Sequence, residues 1–291
     1  MDTKELLKKV RLIELRTRVP VNQIFSGEYH SVFKGRGIEF SEVREYQFGD
    51  DIRIIDWNVS ARFNHPYVKV FEEERELVVM LLVDFSRSEN FGSVRQMKNE
   101  IATEICALLA FSAIKNNDKV GLILFTDEIE KFIPPKKGRS HILRILRELI
   151  SFEPKGVGTN IKAALEYFNK VIKKRSIAFL ISDFLDEGYD KPLRIVSRKH
   201  DLIAVNMYDP REVELPKVGL MKLKDAETGE EIWVNTSDRN VREQFGQYWR
   251  SEKEKRDRLF LTSKVDTIDI RIDQPYINPL VNFFRLRERR L

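Results

Sequence analysis

The chain has one cysteine, Cys106, in 291 residues, so no internal disulfide framework can hold it together. Cys106 falls inside IATEICALLAFSAI, a helical pattern of small and apolar residues, and is expected to pack as a buried, inert side chain. No apolar run reaches the roughly 18 residues of a membrane-spanning helix, and no secretory leader opens the sequence. These absences lead to the expectation of a soluble, cytoplasmic protein with no membrane segment. The four histidines, His30, His65, His141 and His200, lie far apart, with no spacing that would build a metal site or a catalytic base. A Gly-x-x-x-x-Gly-Lys-Ser/Thr loop is missing too, so any ATP hydrolysis must belong to a partner. Charge of one sign is also in short supply. Lys and Arg number 51 against 46 Asp and Glu, and the resulting +5 is too small for a nucleic-acid tail. The basic end, with Arg285, Arg287, Arg289 and Arg290 around Phe283 and Phe284, is read as a last helix whose cations complement its dipole and whose rings dock it.

What is present is an alternation. Residues 1–18 read as an amphipathic helix, with Leu6, Val10 and Ile13 at helical spacing. Residues 19–76 change to short alternating stretches with glycines at Gly27, Gly35, Gly37 and Gly49, read as a small β-rich region with a hairpin near Lys34 to Gly37. From residue 77 onward buried strands and helices take turns: LVVMLLVD, a helix from Val94 to Ile114 with a capping box from Ser93 to Gln96, KVGLILFTD, helices over 140–150 and 160–174, SIAFLISDF, a helix near 191–199, and DLIAVNMYD. Such alternation implies a mostly parallel sheet flanked by helices. VGLMKLKDAETGEEIWVN is read as an inserted β-hairpin at about 211–236, turning near Thr228 and Gly229. A charged helix over 238–261 and the strand VDTIDIRI follow.

The chemistry gathers at strand ends. In LLVDFSRS the apolar run breaks at Asp84 into the spacing Asp-x-Ser-x-Ser, offering Asp84, Ser86 and Ser88. EPKGVGTNIKAAL places Thr159 on a glycine-bearing loop before a helix, and IAFLISDF ends a strand at Ser182 and Asp183. Each loop alone also reads as a helix N-cap. Together they supply the oxygen ligands that Mg2+ takes, about six at roughly 2.1 Å. Neutral hydroxyls among them would leave the ion electrophilic, with a position for a partner's carboxylate.

That set, Asp84, Ser86, Ser88, Thr159 and Asp183, resembles the metal-ion-dependent adhesion site of von Willebrand factor A domains. The resemblance implies a von Willebrand factor A-like (Rossmann-like) α/β fold and bound Mg2+ or Mn2+. It also implies a strand order that sets the Asp84 and Asp183 strands side by side. A sharper resemblance lies in VREYQFGDDIRIIDWNVSARFNHPYVKVFEEERE. Arg44, Tyr46, Gly49, Asp50, Arg53, Asp56, Trp57, Ser60, Ala61 and Arg62, followed by the Asp-x-Ser-x-Ser strand and a final PLVNFFRLRERR, are similar to the family catalogued as domain of unknown function 58. Members of that family are typically encoded beside MoxR-type AAA+ ATPases and are thought to act with them in chaperone-like assembly.

The expectation is therefore a non-enzymatic, metal-dependent adaptor that binds a carboxylate on a protein partner, a MoxR-type AAA+ ATPase or its client, and no nucleic acid. Arg44, Asp50, Arg53, Asp56, Trp57 and Arg62 form either charge pairs that lock a weakly cored β region or a docking face. The alternative, a magnesium-dependent phosphohydrolase or nuclease, would use the same cation as a Lewis acid. An aspartate nucleophile of that type would want a second carboxylate two residues on, where this chain has Ser86.

Overall fold

Helical spacing at the start of the chain gives α1 (Thr3–Pro20), with Val10 and Thr17 buried. The computed structural model describes residues 3–21, 39–72, 77–86, 97–224 and 231–290. The chain divides into two compact units, Phe33–Leu77 and the remainder. In the smaller unit β1 (Glu39–Glu45) pairs antiparallel with β2 (Tyr67–Glu72), and between them come a 3-10 turn (Ile52–Ile54) and a short helix, α2 (Trp57–Phe63). Asp56 caps α2 by accepting the Asn58 and Val59 amides, and Asn64 closes it in the left-handed conformation. The region read as β-rich thus contains a helix as well. The hairpin expected near Lys34 to Gly37 lies outside the described residues.

In the larger unit the apolar runs become the strands β3 (Val78–Asp84), β4 (Lys119–Phe125), β5 (Ile129–Lys136), β6 (Ile177–Ser182) and β7 (Asp201–Tyr208). The antiparallel hairpin β8 (Leu220–Lys224) and β9 (Glu231–Asn235) stands apart from them, and β10 (Asp266–Arg271) completes the main sheet. Its order is β10-β7-β6-β3-β4-β5, parallel except for β5 at one edge. Val79 to Val83 are fully buried, the continuous apolar reading of a strand covered on both faces.

Alternation along each strand sends neighbouring side chains to opposite faces. Met80, Leu82, Ile123 and Phe125 join one core cluster with α5 (Ile161–Val171) and α6 (Asp190–Lys199). The other face is covered by α3 (Lys98–Lys115), which packs with α1 and α4 (Arg139–Ser151). Cys106 is buried in α3, and burial pushes its thiol up. The remaining helices are α7 (Pro210–Val213), α8 (Arg239–Ser263) and α9 (Ile277–Glu288). Phe284 of α9 is buried, as expected of a ring that docks this basic helix, and Arg287 also pairs with Asp201 and Asp266 instead of only facing the helix dipole.

Two boundaries differ from expectation, and one strand was not foreseen. The described helix α3 starts at Lys98, not Val94, because Met97 is the extended cap and Glu100 accepts the Met97 amide at 3.4 Å. The expected Ser93 to Gln96 box lies outside the described residues, as does the Thr228 to Gly229 turn. α5 ends at Val171, short of Lys174. β5 was not expected, since IEKFIPPK carries two prolines, which an edge strand tolerates.

Candidate cation site at the strand switch point

Between β3 and β6 the sheet changes its direction of growth, toward β4 and β5 on one side and β7 and β10 on the other. Ligands of open α/β sheets sit beyond the strand ends at such a switch. Asp84 ends β3, and Asp183 follows the last residue of β6.

Both carboxylates are buried and tied. Asp84 Oδ1 accepts the Ser86 amide at 2.9 Å, and the Ser182 hydroxyl donates to Asp84 Oδ2 at 2.7 Å. Asp183 Oδ1 accepts the Leu185 amide at 3.2 Å, while Phe184 between them takes the left-handed φ of +59°. That conformation costs a non-glycine residue on the order of 1 kcal/mol. The Phe184 ring is held edge-on to Phe260 at 5.1 Å.

The second loop is fixed by close packing. A Cβ on Gly156 would lie 2.0 Å from Asp127 Oδ1 and 2.8 Å from Thr126 Cβ, so only glycine fits. The Gly156 amide reaches Glu130, and the Asn160 amide reaches the Thr126 carbonyl. Asp186 Oδ2 accepts the Ile161 amide at 2.7 Å, joining the Asp183 loop to the loop that carries Thr159. Asp84, Ser86 and Asp183 are thus brought together, Thr159 lies on a loop laced to theirs, and Ser88 is outside the described residues.

Sequence reasoning missed Lys98. This fully buried lysine, the first residue of α3, donates to Asp183 Oδ2 at 3.0 Å and contacts Glu212 Oε1 at 2.7 Å. Glu212 sits on α7, where its other oxygen accepts the Asp209 amide at 3.0 Å. Among the described residues two carboxylates, Asp183 and Glu212, therefore meet at one ammonium, and the buried Asp84 lies near enough to feel the Asp183 charge. Burial, with the Asp183 charge adding to it, pushes Asp84 up to about 7. Burial raises Glu212 as well, against the pull of Lys98.

A divalent cation suits such a gathering of carboxyl groups. Among the described residues no three Asp, Glu, His or Cys side chains converge to hold a metal by themselves. A cation here would therefore need the Ser86 and Thr159 hydroxyls beside the two aspartates, the mixed set read from the sequence.

The smaller unit places its candidate residues differently. Arg44 grips Asp50 with two bonds of 2.8 Å, and Asp50 also accepts the Gln47 amide. Arg53 bonds Asp51 rather than Asp50 or Asp56. Asp56 is occupied as the α2 cap and pairs with Lys69 at 3.5 Å. Trp57 and Arg62 are exposed on α2, Trp57 by 70%.

The sheet and the helices that cover it have a von Willebrand factor A-like fold. The model of the family described as "Protein of unknown function DUF58" matches residues 42–255, and the chain belongs to that family. The uncharacterized protein Rv1480 of Mycobacterium tuberculosis (strain ATCC 25618 / H37Rv) is 30% identical over 292 residues, covering 99% of this chain and 92% of its own. An aerotolerance-related membrane protein from Bacteroides fragilis NCTC 9343 shares the fold at a TM-score of 0.50 and 19% identity, over 74% of this chain and 100% of that one. The SpRpn10 VWA domain matches at a TM-score of 0.39 and 12% identity, over 72% of this chain and 95% of its own. Among the described residues no helix is long and apolar enough to cross a membrane.

Proposed function

We propose that this protein is a cation-dependent, non-enzymatic adaptor that captures a carboxylate of a protein partner at Asp84, Ser86, Thr159 and Asp183, with Ser88 as the fifth ligand by resemblance. The observation that carries the reading is the gathering of carboxyl groups at the switch point, where Asp183 and Glu212 meet at Lys98 and the buried Asp84 lies beside Asp183. The chemistry that bound Mg2+ or Mn2+ would supply is a hard Lewis-acid position for an incoming carboxylate. Ser182 and the Ser86 amide hold Asp84 by both oxygens, and Lys98 and the Leu185 amide hold Asp183, so the aspartates are oriented before any ligand arrives. Ser86 stands where an aspartate-nucleophile site would want its second carboxylate, which favours binding over phosphoryl transfer. The family resemblance names the partner to try first, a MoxR-type AAA+ ATPase or its client, in chaperone-like assembly.

The test is titration calorimetry with Mg2+ and Mn2+ on folded wild type and Asp84→Ala, followed by pull-down of a MoxR-type AAA+ ATPase, with and without chelator. Wild type should bind one divalent cation, and Asp84→Ala should lose at least tenfold in affinity. The ATPase or its client should be retained only by metal-loaded wild type. A folded wild type that binds neither cation would end this reading.

A further inference from the structure

The hairpin of β8 and β9 takes no part in the main sheet, and among the described residues neither of its edges pairs with a third strand. Two strands alone are marginal in water, and a sheet gains its stability from further strands or a covered face. One face of this hairpin, with Met221, Leu223 and Val234, is half-buried. The other carries Trp233 opposite Lys222, and Trp233 is 66% exposed.

The register fixes which backbone groups each edge presents. The Thr236 amide donates to the Gly219 carbonyl at 2.8 Å, one step beyond the pair of Leu220 and Asn235. Hydrogen-bonded pairs alternate along an antiparallel ladder, so Met221 bonds Val234 and Leu223 bonds Ile232. Glu231, Trp233 and Asn235 therefore turn their amides and carbonyls outward from β9, as Leu220 and Lys222 do from β8. The Asn235 carbonyl already takes the Asp238 amide at 3.2 Å, which leaves the Trp233 amide and carbonyl, the Glu231 carbonyl and the Asn235 amide as the open groups of the β9 edge.

Charge separates the two edges. β8 has Lys222 at its centre, and a lysine guards an edge against pairing. Laid antiparallel against itself about Lys222, β8 would set two ammonium groups face to face. β9 reads Glu-Ile-Trp-Val-Asn and has no lysine, arginine or proline. Laid antiparallel against itself about Trp233, it sets Glu231 opposite Asn235 at both ends and the two indoles opposite each other, so no like charges meet. Aromatic pairs opposite one another across strands are favourable.

We infer that the β9 edge is a contact for a second copy of this chain, the two hairpins joining about a two-fold axis at Trp233 into one four-stranded antiparallel sheet. The contact is isologous and closes at two copies. Five residues a side bury less than a standard interface, so the dimer is weak, with a dissociation constant in the micromolar range. It is independent of the cation site.

Sedimentation velocity of the full chain, from micromolar to millimolar and with chelator present to exclude association through a cation, tests it. Wild type should pass from monomer to dimer across that range. Trp233→Pro removes an outward amide and none of the hairpin's own bonds, and should weaken the dimer at least tenfold. Lys222→Pro does the same to the β8 edge and should leave the dimer unchanged. Asn235→Asp keeps the oxygen that accepts the Ser237 amide and places a carboxylate opposite Glu231 of the second copy, so it should weaken the dimer several-fold. Adding Glu231→Gln should restore it, which a contact elsewhere on the surface would not do. Circular dichroism checks that each variant is folded. A wild type that stays monomeric throughout overturns the inference, as does a dimer indifferent to both Trp233→Pro and Asn235→Asp. Species that keep growing beyond two copies would mean β8 pairing with β9 of the next chain, and would overturn the two-fold contact.

Discussion

Arg44 with Asp50 and Lys98 with Asp183 are the same chemistry in opposite surroundings. In the smaller unit the Arg44 fork and the Gln47 amide hold the Asp50 carboxyl below its ordinary value, and every charge in the pair is met. At the switch point one ammonium serves the buried Asp183 and the half-buried Glu212, and burial with the Asp183 charge pushes Asp84 up to about 7. The smaller unit uses charge as a local tie where water shares the load. The larger unit crowds carboxyl groups where water is excluded, and such a crowd is what a cation can bind. Lone ion pairs near a surface contribute little, whereas breaking a buried one leaves a charge with no solvent to receive it.

The largest break in that comparison is Lys98→Met. It should cost about 3–5 kcal/mol of unfolding free energy, because the buried Asp183 and the half-buried Glu212 would lose the cation they share. Urea denaturation of wild type and variant measures it. Adding Asp183→Asn should recover part of the loss, since it removes one of the orphaned charges, and a strictly additive double variant would contradict the shared-ammonium account. Saturating Mg2+ should raise the midpoint of Lys98→Met by more than that of wild type.

Acid tests the buried side of the comparison at a neutral group. His200 is buried, with Nδ1 against the Ser176 hydroxyl at 2.9 Å, Nε2 without a partner, and its ring against Phe168. Burial lowers its pKa from 6.5 to about 4, with Lys199 and Arg175 adding to the effect. Between those values the unfolded chain binds a proton that the folded protein refuses. Stability is therefore fully present above the unfolded value and is lost as pH falls from about 6.5 to about 4, by at most ~3 kcal/mol. His200→Gln should flatten that part of the pH profile of the urea midpoint, and an unchanged slope would assign the acid loss elsewhere.

How much of this was legible in the sequence depended on what each residue type reveals by itself. The core strands were readable because a two-sided buried strand is continuously apolar, and the family segment was readable from its own residues. α2 was not, because seven residues make too few turns to show a period; its signals were the Asp56 cap and the left-handed Asn64. β5 was hidden by the lysines and prolines that suit an edge. Lys98 was missed because a lysine on a helix normally reads as solvated. The available signal was the helix it opens, which is small or apolar on nearly every side from Ile101 to Ala113 and so cannot keep its first turn wet. Glu212 had a signal too, in the Asp-Pro-Arg-Glu capping box directly after β7. Neither residue belongs to a recognisable ligand spacing, since their meeting depends on how the β7 loop and the start of α3 come together in three dimensions.

The smallest expected effect is Arg44→Met, the surface counterpart of Lys98→Met. The Arg44 side chain is 40% exposed and that of Asp50 18%, so losing the fork leaves Asp50 able to turn to water while it keeps the Gln47 amide. The midpoint of thermal unfolding should move by no more than about 2 °C at neutral pH. The difference should shrink further in high salt, which screens an exposed pair and spares a buried one. It should also close in acid. The folded Asp50 pKa lies below its ordinary value, so the pair's contribution is present above that ordinary value and is lost as pH falls through the folded one. A loss comparable to that of Lys98→Met would mean that the smaller unit depends on this charge as the larger one depends on its lysine. A small, salt-sensitive loss leaves the unit's fold resting on its β pairing and the Asp56 cap. In that case the exposed Trp57 and Arg62 can be replaced without disturbing the fold, and any partner binding lost with them is lost at a docking surface.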